Sequence, residues 1–164
     1  MLRYRAVDVE KDKKILLEFH CRINYESETP YARTMCYEEY RKKWLSTSQP
    51  KEYLSHLATT MKDERTMAEI LEDKGSAVGY LWVTFNEIRG YNLTIAEIMD
   101  IGVASSHQRR GIGLSMLRRI EKTAQQRGAT LLRSDTGSGN TASQKLHEKF
   151  GFKLYKIHYE KIIR

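Results

Sequence analysis

The sequence predicts a single α/β domain, of mixed α+β type, that spans residues 1–164. Apolar residues recur at helical spacing in the first third of the chain, and short runs rich in β-branched and aromatic residues follow from Met67. Helix-type and strand-type periods then alternate after Val103. With 164 residues, 40% of them hydrophobic, the chain can bury one sizeable core and is too short for two comfortable domains.

The first third is predicted to be mostly helical after one short strand. Residues 2–7 form that strand, and a helix follows from about residue 10 to residue 25. Its apolar positions are Ile15, Leu16, Phe19 and Ile23. Two further amphipathic stretches, around residues 37–45 and 53–57, are separated by Pro50.

The middle of the chain is predicted to be an antiparallel meander. Residues 67–72 and 77–85 form a hairpin around the tight turn Asp73-Lys74-Gly75. A second turn at residues 86–92 leads into a strand at residues 93–103. After it we expect a helix and a strand, then a helix and a last strand, at residues 111–127, 130–135, 140–150 and 152–161.

Composition excludes several classes of protein. The net charge of +7 would attract any polyanion, but the basic residues are spread along the chain and no nucleic-acid-binding signature is present. No apolar run approaches the roughly 20 residues of a membrane span, and the first residues lack a signal peptide. Cys21 and Cys36 have no metal-binding spacing, so we expect free thiols, no metal, and a soluble cytoplasmic protein that binds neither nucleic acid nor membrane.

The segment Gln108-Arg109-Arg110-Gly111-Ile112-Gly113 lies between a predicted strand and an amphipathic helix. Backbone amides at a helix start are unpaired and carry the positive end of the helix dipole, so they bind phosphate. The glycines let a diphosphate approach those amides, and an arginine adds a charged contact. A plain surface helix cap is the alternative interpretation of this segment.

This turn fits neither of two common nucleotide-binding motifs. A Walker loop is absent because no Gly-Lys-Ser/Thr follows, and GxGxxG fails because Met116 occupies the position of its third glycine. Residues 137–142, Gly137-Ser138-Gly139-Asn140-Thr141-Ala142, do form a GxGxxA, with Glu160 about twenty residues later. Too little chain follows for the βαβ units that complete a dinucleotide site, which leaves this motif as the second choice.

Two motifs in register resemble the GNAT superfamily of N-acetyltransferases. The turn at residues 108–113 fits its Q/R-x-x-G-x-G/A pattern, and residues 140–152 are similar to its NxxAxxLYxxxGF block, one helix and one strand later. The resemblance implies a GNAT-like fold: a central, mostly antiparallel sheet of six to seven strands, splayed at the cofactor site and flanked by about four helices. It covers nearly the whole chain, strongly from Glu97 to Phe152.

The resemblance implies acetyl-CoA as co-substrate. Its pyrophosphate would contact the turn and helix start, its pantetheine arm would lie along the preceding strand, and the later helix would border the arm. The implied cofactor-binding residues are Ile101, Gly102, Val103, Gln108, Arg109, Arg110, Gly111, Ile112, Gly113, Leu114, Asn140 and Ser143. Two of the family's positions differ, because Ser143 replaces the usual Ala and His147 replaces a Tyr that often protonates the leaving thiolate. An imidazole can serve as that acid, with Tyr155 and Tyr159 in reserve.

A base is needed because an alkyl amine is neutral in only roughly one molecule in a thousand at pH 7. Strand alternation groups Glu97 with Ile95, Met99, Ile101 and Val103 on one face, so Glu97 is the candidate base among apolar neighbours. A local bulge would shift the alternation and substitute Asp100, and a water chain is a further route. Glu97→Gln is expected to keep cofactor binding and slow turnover.

The acceptor is predicted only as a primary amine, on a small molecule or a protein. Acidic residues of the early helices and a turn, which in this family cover the acceptor cleft, would attract a cation: Glu26, Glu28, Glu38, Glu39 and Glu87. The expected partners are this amine and, as an open point, a second copy of the chain in a homodimer. A non-catalytic acyl-CoA sensor is the alternative function.

Overall fold

The computed structural model describes residues 1–28 and 32–163, and it has the predicted mixed α+β architecture. The elements in chain order are β1 (Arg3–Ala6), α1 (Lys13–Ser27), α2 (Tyr37–Leu45), α3 (Gln49–Thr60), β2 (Thr66–Asp73), β3 (Ser76–Ile88), β4 (Leu93–Val103), α4 (Ile112–Gln126), β5 (Leu131–Arg133) and α5 (Thr141–Phe150). Short 3₁₀ turns lie at Ala32–Thr34, Arg89–Tyr91 and Ser105–His107. No helix of this described part is long and apolar enough to cross a membrane.

The sheet follows the order of the chain, β1-β2-β3-β4-β5. The first four strands pair antiparallel, and β5 pairs parallel to β4, which confirms the mostly antiparallel prediction. The β2–β3 hairpin turns where predicted, because Lys74 and Gly75 both have positive φ angles, 51° and 80°, as a two-residue hairpin turn requires.

The predicted last strand, at residues 152–161, is wrong. Residues 152–163 form neither helix nor strand, so the described residues contain five strands and not the expected six to seven. Alternating apolar residues fit a strand locally, but a strand also needs a partner with a long edge, and β5 has only three residues. Large side chains of this segment are consequently exposed, at Leu154, Tyr155, Ile157 and Tyr159.

Helices cover both faces of the sheet. One face packs against α4, where Met116, Leu117 and Ile120 are fully buried on the stripe that the sequence pattern predicts. The other face packs against α1 and α3 through Leu16 and Leu57. Of the two cysteines, Cys21 is buried and Cys36 is exposed, and both are free thiols.

An ion-pair network joins β1 to the start of α1. Arg5 Nη1 and Nη2 donate to the Asp12 carboxylate at 2.7 and 2.8 Å, and Arg5 Nε donates to Glu72 Oε1 at 2.6 Å. Asp12 also accepts from the backbone amide of Asp8 at 2.9 Å, and only 6% of its side chain is exposed. The Arg5 guanidinium lowers the pKa of Asp12, which desolvation opposes.

We expect Asp12→Asn to lower the free energy of unfolding at pH 7 by about 2 kcal/mol, because it weakens charge-assisted hydrogen bonds. Since the folded-state pKa is lowered, this stabilisation is present above the unfolded value of about 3.9 and is lost as pH falls through the folded value. Urea unfolding at pH 7 and pH 3 measures it, with the exposed carboxylate Glu121→Gln as control. An equal gap between Asp12→Asn and wild type at both pH values would contradict this assignment.

Candidate active site

The strands β4 and β5 separate after a short parallel ladder. Their pairing runs from Ile95 opposite Leu131 to Glu97 opposite Arg133, where β5 ends. Within the described chain, residues 98–103 of β4 therefore have β3 on one side and no strand on the other. The sheet is splayed here, as the resemblance implies, and we call this opening the wedge.

A narrow cavity of about 50 Å³ lies in the wedge. Residues 98–101 of β4 form one wall, residues 134–136 form another, and Asn140 and Ser143 border it from α5. The end of α1 covers it with Ile23, Glu26 and Ser27. Burial raises the pKa of Glu26, with Arg22 and Arg33 counteracting it. Of the five acidic residues suggested for the acceptor cleft, only Glu26 lines a described cavity.

The start of α4 lies beside the end of β4 and has an unusual backbone. Gly111 has φ of 78° and Arg109 has φ of 60°, a left-handed conformation that is rare for a bulky residue and common in anion-binding turns. Among the described contacts, no backbone amide of residues 109–114 donates a hydrogen bond. An added Cβ at Gly111 would meet nothing within 4 Å, so the turn is open to a ligand.

Neighbouring side chains hold this turn against β4 and α5. Gln108 Nε2 donates to the Val103 carbonyl at 3.1 Å, which ties the turn to the strand end. An ideal Cβ at Gly113 would lie 3.1 Å from Leu146 Cδ2, so Gly113 permits the close approach of α4 to α5. The predicted phosphate-binding residues, Gln108, Arg109, Arg110, Gly111, Ile112, Gly113 and Leu114, therefore lie at one end of the wedge. Ile101, Gly102 and Val103 form its strand side.

The competing glycine motif at residues 137–142 is packed rather than open. A Cβ at Gly137 would lie 2.6 Å from the Ser27 carbonyl oxygen, and one at Gly139 would lie 2.5 Å from Arg33 Nη1. Asn140 Oδ1 accepts from the Ser143 amide at 3.1 Å and caps α5. The contact with the Ser27 backbone gives Gly137 a packing role at the end of α1, and the Arg33 side chain covers Gly139, which argues against a dinucleotide at this motif.

His147 lies behind the wedge and does not line it. Its Nδ1 donates to the Ser143 carbonyl oxygen at 2.7 Å, and its Nε2 lies 2.7 Å from the Ser134 hydroxyl oxygen. A carbonyl oxygen only accepts, so Nδ1 carries a proton and the neutral ring accepts from Ser134 through Nε2. Ser134 does line the wedge cavity, and the reserve candidates Tyr155 and Tyr159 are exposed.

A β-bulge at Met99 changes the faces of β4. The β3–β4 register runs from Val83 opposite Ile98 to Trp82 opposite Asp100, so Met99 is the extra residue. The expected common face of Glu97, Ile101 and Val103 is therefore wrong. Ile101 and Val103 pack against the α4 side, whereas Asp100 lies on the α1 side. This is the shift of alternation that the bulge alternative anticipated.

Glu97 precedes the bulge and lies outside both described cavities. It is half-buried, opposite Thr84 on β3 and Arg133 on β5, and its Oε2 accepts from Asn86 Nδ2 at 3.5 Å. Its assignment as base stays a prediction.

A buried polar network that the sequence did not reveal starts at Asp100. Asp100 Oδ2 lies 2.8 Å from His20 Nδ1, and the His20 ring stacks on Tyr53 with centroids 3.7 Å apart. The Tyr53 hydroxyl in turn donates to the Tyr80 hydroxyl at 2.9 Å. Burial raises the pKa of Asp100, and the hydrogen bond from His20 counteracts this. His20 is 80 residues away from Asp100 in the chain, and no sequence signal marked it.

A second cavity, of about 350 Å³, opens on the α1 and α3 side of the sheet. Its lining is His20, Gln49, Glu52, Tyr53, His56, Trp82 and Met99. Met99 also lines the wedge cavity, so the bulge residue lies between the two spaces.

A mostly antiparallel sheet that opens into a wedge beside an unpaired helix start is the arrangement that the resemblance to the GNAT superfamily implies. Residues 31–152 match the model of the acetyltransferase (GNAT) family, which is more than half of the chain, and the chain belongs to this family. No curated protein matches the chain.

Several solved structures share the fold of this chain. A predicted acetyltransferase from Clostridium acetobutylicum, with acetyl-CoA, is 16% identical and has a TM-score of 0.73, over 99% of this chain and 96% of that chain. A GCN5-related N-acetyltransferase from Ralstonia eutropha JMP134 is 14% identical, with a TM-score of 0.74 over 99% of both chains. AAC(6')-Iy, in complex with the bisubstrate analogue CoA-S-monomethyl-acetylneamine, is 16% identical, with a TM-score of 0.65 over 99% of both chains.

Proposed function

We propose that this protein is an N-acetyltransferase that transfers the acetyl group of acetyl-CoA directly to a primary amine. The observation that carries the proposal is the wedge between β4 and β5, which ends at the unpaired amides of residues 109–114. The family's description as acetyltransferases and the similar structure with acetyl-CoA support it.

The shape of the site suits an extended molecule with a diphosphate at one end. The diphosphate would accept from the amides at the start of α4, with Arg109 and Arg110 exposed beside it. The pantetheine arm would run along the unpaired edge of β4, near Ile101, Gly102 and Val103, and pair with it like a short strand. Asn140 and Ser143 would border the arm from α5.

Much of the rate acceleration would come from holding the amine against the thioester, which can contribute about 7–11 kcal/mol in favourable cases. The amine must also lose a proton before it attacks. Glu97 was predicted for this step, and Asp100 is a second carboxylate on β4, inside the wedge.

His147 can supply the leaving thiolate with a proton only through another group, because Ser134 lies between its Nε2 and the wedge cavity. We therefore assign the acid step to the Ser134 hydroxyl with His147 behind it. The His147 imidazole would return a proton to the serine from Nε2 when it is protonated.

The acceptor remains a primary amine of a small molecule or a protein, and AAC(6')-Iy with its acetylneamine analogue makes an amino sugar one class to include in a screen. A homodimer and a cytoplasmic location also stay predictions.

The test of the cofactor is a thermal-shift comparison of acetyl-CoA with NAD at equal concentration. We expect acetyl-CoA to raise the melting temperature, because a ligand that binds only the folded state stabilises it, and NAD to leave it unchanged. A shift with NAD alone would favour the glycine motif at residues 137–142. Tight acetyl-CoA binding without release of free thiol in the presence of any amine would favour the acyl-CoA sensor.

A further inference from the structure

We propose that His20 is the general base of this enzyme, that Asp100 is its positioning residue, and that the acceptor amine binds in the second cavity. This inference rests on the proposed acetyl transfer and names the group and the space that serve its acceptor half. It is carried by the contact between His20 and Asp100 and by their place between the two cavities.

The imidazole of His20 is held in one orientation by groups on three other elements. Asp100 of β4 binds its Nδ1 at 2.8 Å, Tyr53 of α3 stacks on it with an interplanar angle of 9°, and Trp44 of α2 lies 5.9 Å away between ring centroids. Only 17% of the His20 side chain and 2% of the Asp100 side chain are exposed. A base fixed in this way loses little entropy in reaching its reactive geometry.

The contact with Asp100 also fixes which ring nitrogen is basic. An ionised carboxylate only accepts, so the proton of a neutral His20 lies on Nδ1, and Nε2 carries the lone pair. No hydrogen bond to Nε2 is formed within residues 1–28 and 32–163. Since Nδ1 faces Asp100 and His20 lines the second cavity, Nε2 is the nitrogen available to a molecule bound there.

His20 and Asp100 lie between the proposed site of the acyl donor and the proposed site of the amine. Asp100 lines the wedge in which the acyl arm is proposed to lie, His20 lines the second cavity, and Met99 lines both. On α1, Ile23 follows His20 by one turn and lines the wedge. An amine in the second cavity therefore lies near Nε2 and can approach a thioester beside the bulge. Glu97, in contrast, lines neither space.

The lining of the second cavity suits a cationic amine on an apolar stem. Tyr53, Trp82 and His56 line its walls, and the faces of tyrosine and tryptophan rings attract ammonium groups. Glu52 adds a carboxylate and Gln49 an amide at the same cavity. Its volume of about 350 Å³ is that of a site for a small molecule or one long side chain.

The ammonium form of the acceptor gives one proton to Nε2 of His20, and the nitrogen lone pair then forms a bond to the thioester carbonyl carbon. The carbon–sulfur bond breaks with its electron pair on sulfur, and the Ser134 hydroxyl gives its proton to the thiolate. The second nitrogen proton passes to solvent, and the serine regains a proton through His147. The products are the amide and the CoA thiol, and the imidazolium returns its proton to solvent.

The main experiment is the substitution His20→Asn. The asparagine amide can replace Nδ1 as donor to Asp100 and has no group at the position of Nε2, so folding is preserved while the base is lost. We expect kcat to fall about 100- to 1,000-fold, within the usual range for general-base catalysis, with an unchanged acetyl-CoA thermal shift. His158→Gln, in the exposed last segment, is the control for loss of a histidine and keeps wild-type activity.

The pH profile separates a base from a packing residue. The titratable groups near His20 are Asp100 on β4, Glu52, Tyr53 and His56 on α3, and Asp135 beyond Asp100. In wild type we expect kcat/KM to decrease at low pH, because a protonated Nε2 cannot accept a proton from the amine. In His20→Asn this decrease at low pH, the acid limb of the profile, should disappear. His56→Gln is expected to raise KM for the amine and retain the limb.

Asp100→Asn tests the positioning role. Its amide can donate toward Nδ1 and favour the opposite tautomer, so we expect kcat to fall at least 10-fold while KM for acetyl-CoA is unchanged. Nitrogen-15 NMR of labelled histidine reports this independently of turnover. In wild type at neutral pH the His20 proton should be on Nδ1, and in Asp100→Asn it should move to Nε2.

Each contrary result has a distinct meaning. If wild type acetylates an amine and His20→Asn has the same kcat and pH profile, the roles of His20 and Asp100 are overturned and the proposed function stands. A large loss in Glu97→Gln with normal His20→Asn would return the base to Glu97. Absence of turnover by wild type with every amine overturns the proposed function and this inference together.

Discussion

Gly111→Asp is expected to weaken acetyl-CoA binding by 100-fold or more. The new carboxylate would project into the open space at the start of α4, where the diphosphate is proposed to accept hydrogen bonds. Two like charges about 4 Å apart near a protein surface repel by about 4 kcal/mol, and each 1.4 kcal/mol is tenfold in affinity. Isothermal titration of acetyl-CoA into both proteins measures the loss.

The chain provides a matched control just after the other end of α4. Gly128 has φ of 72°, close to the 78° of Gly111, and a Cβ at either glycine meets nothing within 4 Å. Gly128→Asp therefore carries a similar backbone strain and the same added charge, and the length of α4 separates it from the helix start. We expect it to bind acetyl-CoA like wild type. Equal affinities of Gly111→Asp and Gly128→Asp would refute the phosphate site.

Leu117→Ala is expected to cause the largest loss of stability among the substitutions considered. Leu117 is fully buried on α4 in the cluster between this helix and the sheet. Truncation of a buried leucine costs about 2–5 kcal/mol, and 3 kcal/mol corresponds to roughly 6–12 °C in melting temperature for a chain of this size. Calorimetry or thermal unfolding measures it.

Arg118→Ala is the control on the same helix, since Arg118 is exposed and both residues favour helix. It should shift the melting temperature by little. Acetyl-CoA should raise the melting temperature of Leu117→Ala by as much as it raises that of wild type, because the amides at the helix start are not altered. A variant as stable as wild type would show that α4 is not packed as described.

Most helices and strands could be predicted from the sequence because the residues that determine them, such as turn glycines and apolar stripes, lie within or beside each element. The hairpin turn at Lys74 and Gly75 requires positive φ, and glycine reveals it. The α4 helix has a continuous apolar stripe. The segment after Phe152 has the same kind of local pattern and forms no strand, because strand formation also depends on a distant partner edge that the sequence does not display.

The candidate site likewise combines features that the sequence could predict with features that only the folded chain reveals. The helix start at Gly111 was predictable because the glycine spacing and the apolar stripe of α4 indicate where the turn ends and the helix begins. The bulge at Met99 has no residue signature, and a shift of one residue moves every following side chain to the other face. The His20–Asp100 contact depends on that shift and on how α1 crosses the sheet, so only the folded chain could reveal it.

Acetyl transfer by the purified protein can be measured directly. Purified protein is mixed with acetyl-CoA and a panel of primary amines, including amino sugars, diamines and lysine peptides, and free thiol and acetylated amine are measured together. We expect thiol release that depends on one class of amine, with one acetyl group gained by that amine for each thiol released. At limiting acetyl-CoA, Gly111→Asp should form neither product. Acetyl transfer to an amine would be contradicted if no amine in the panel changed the rate of thiol release and no acetylated amine were formed.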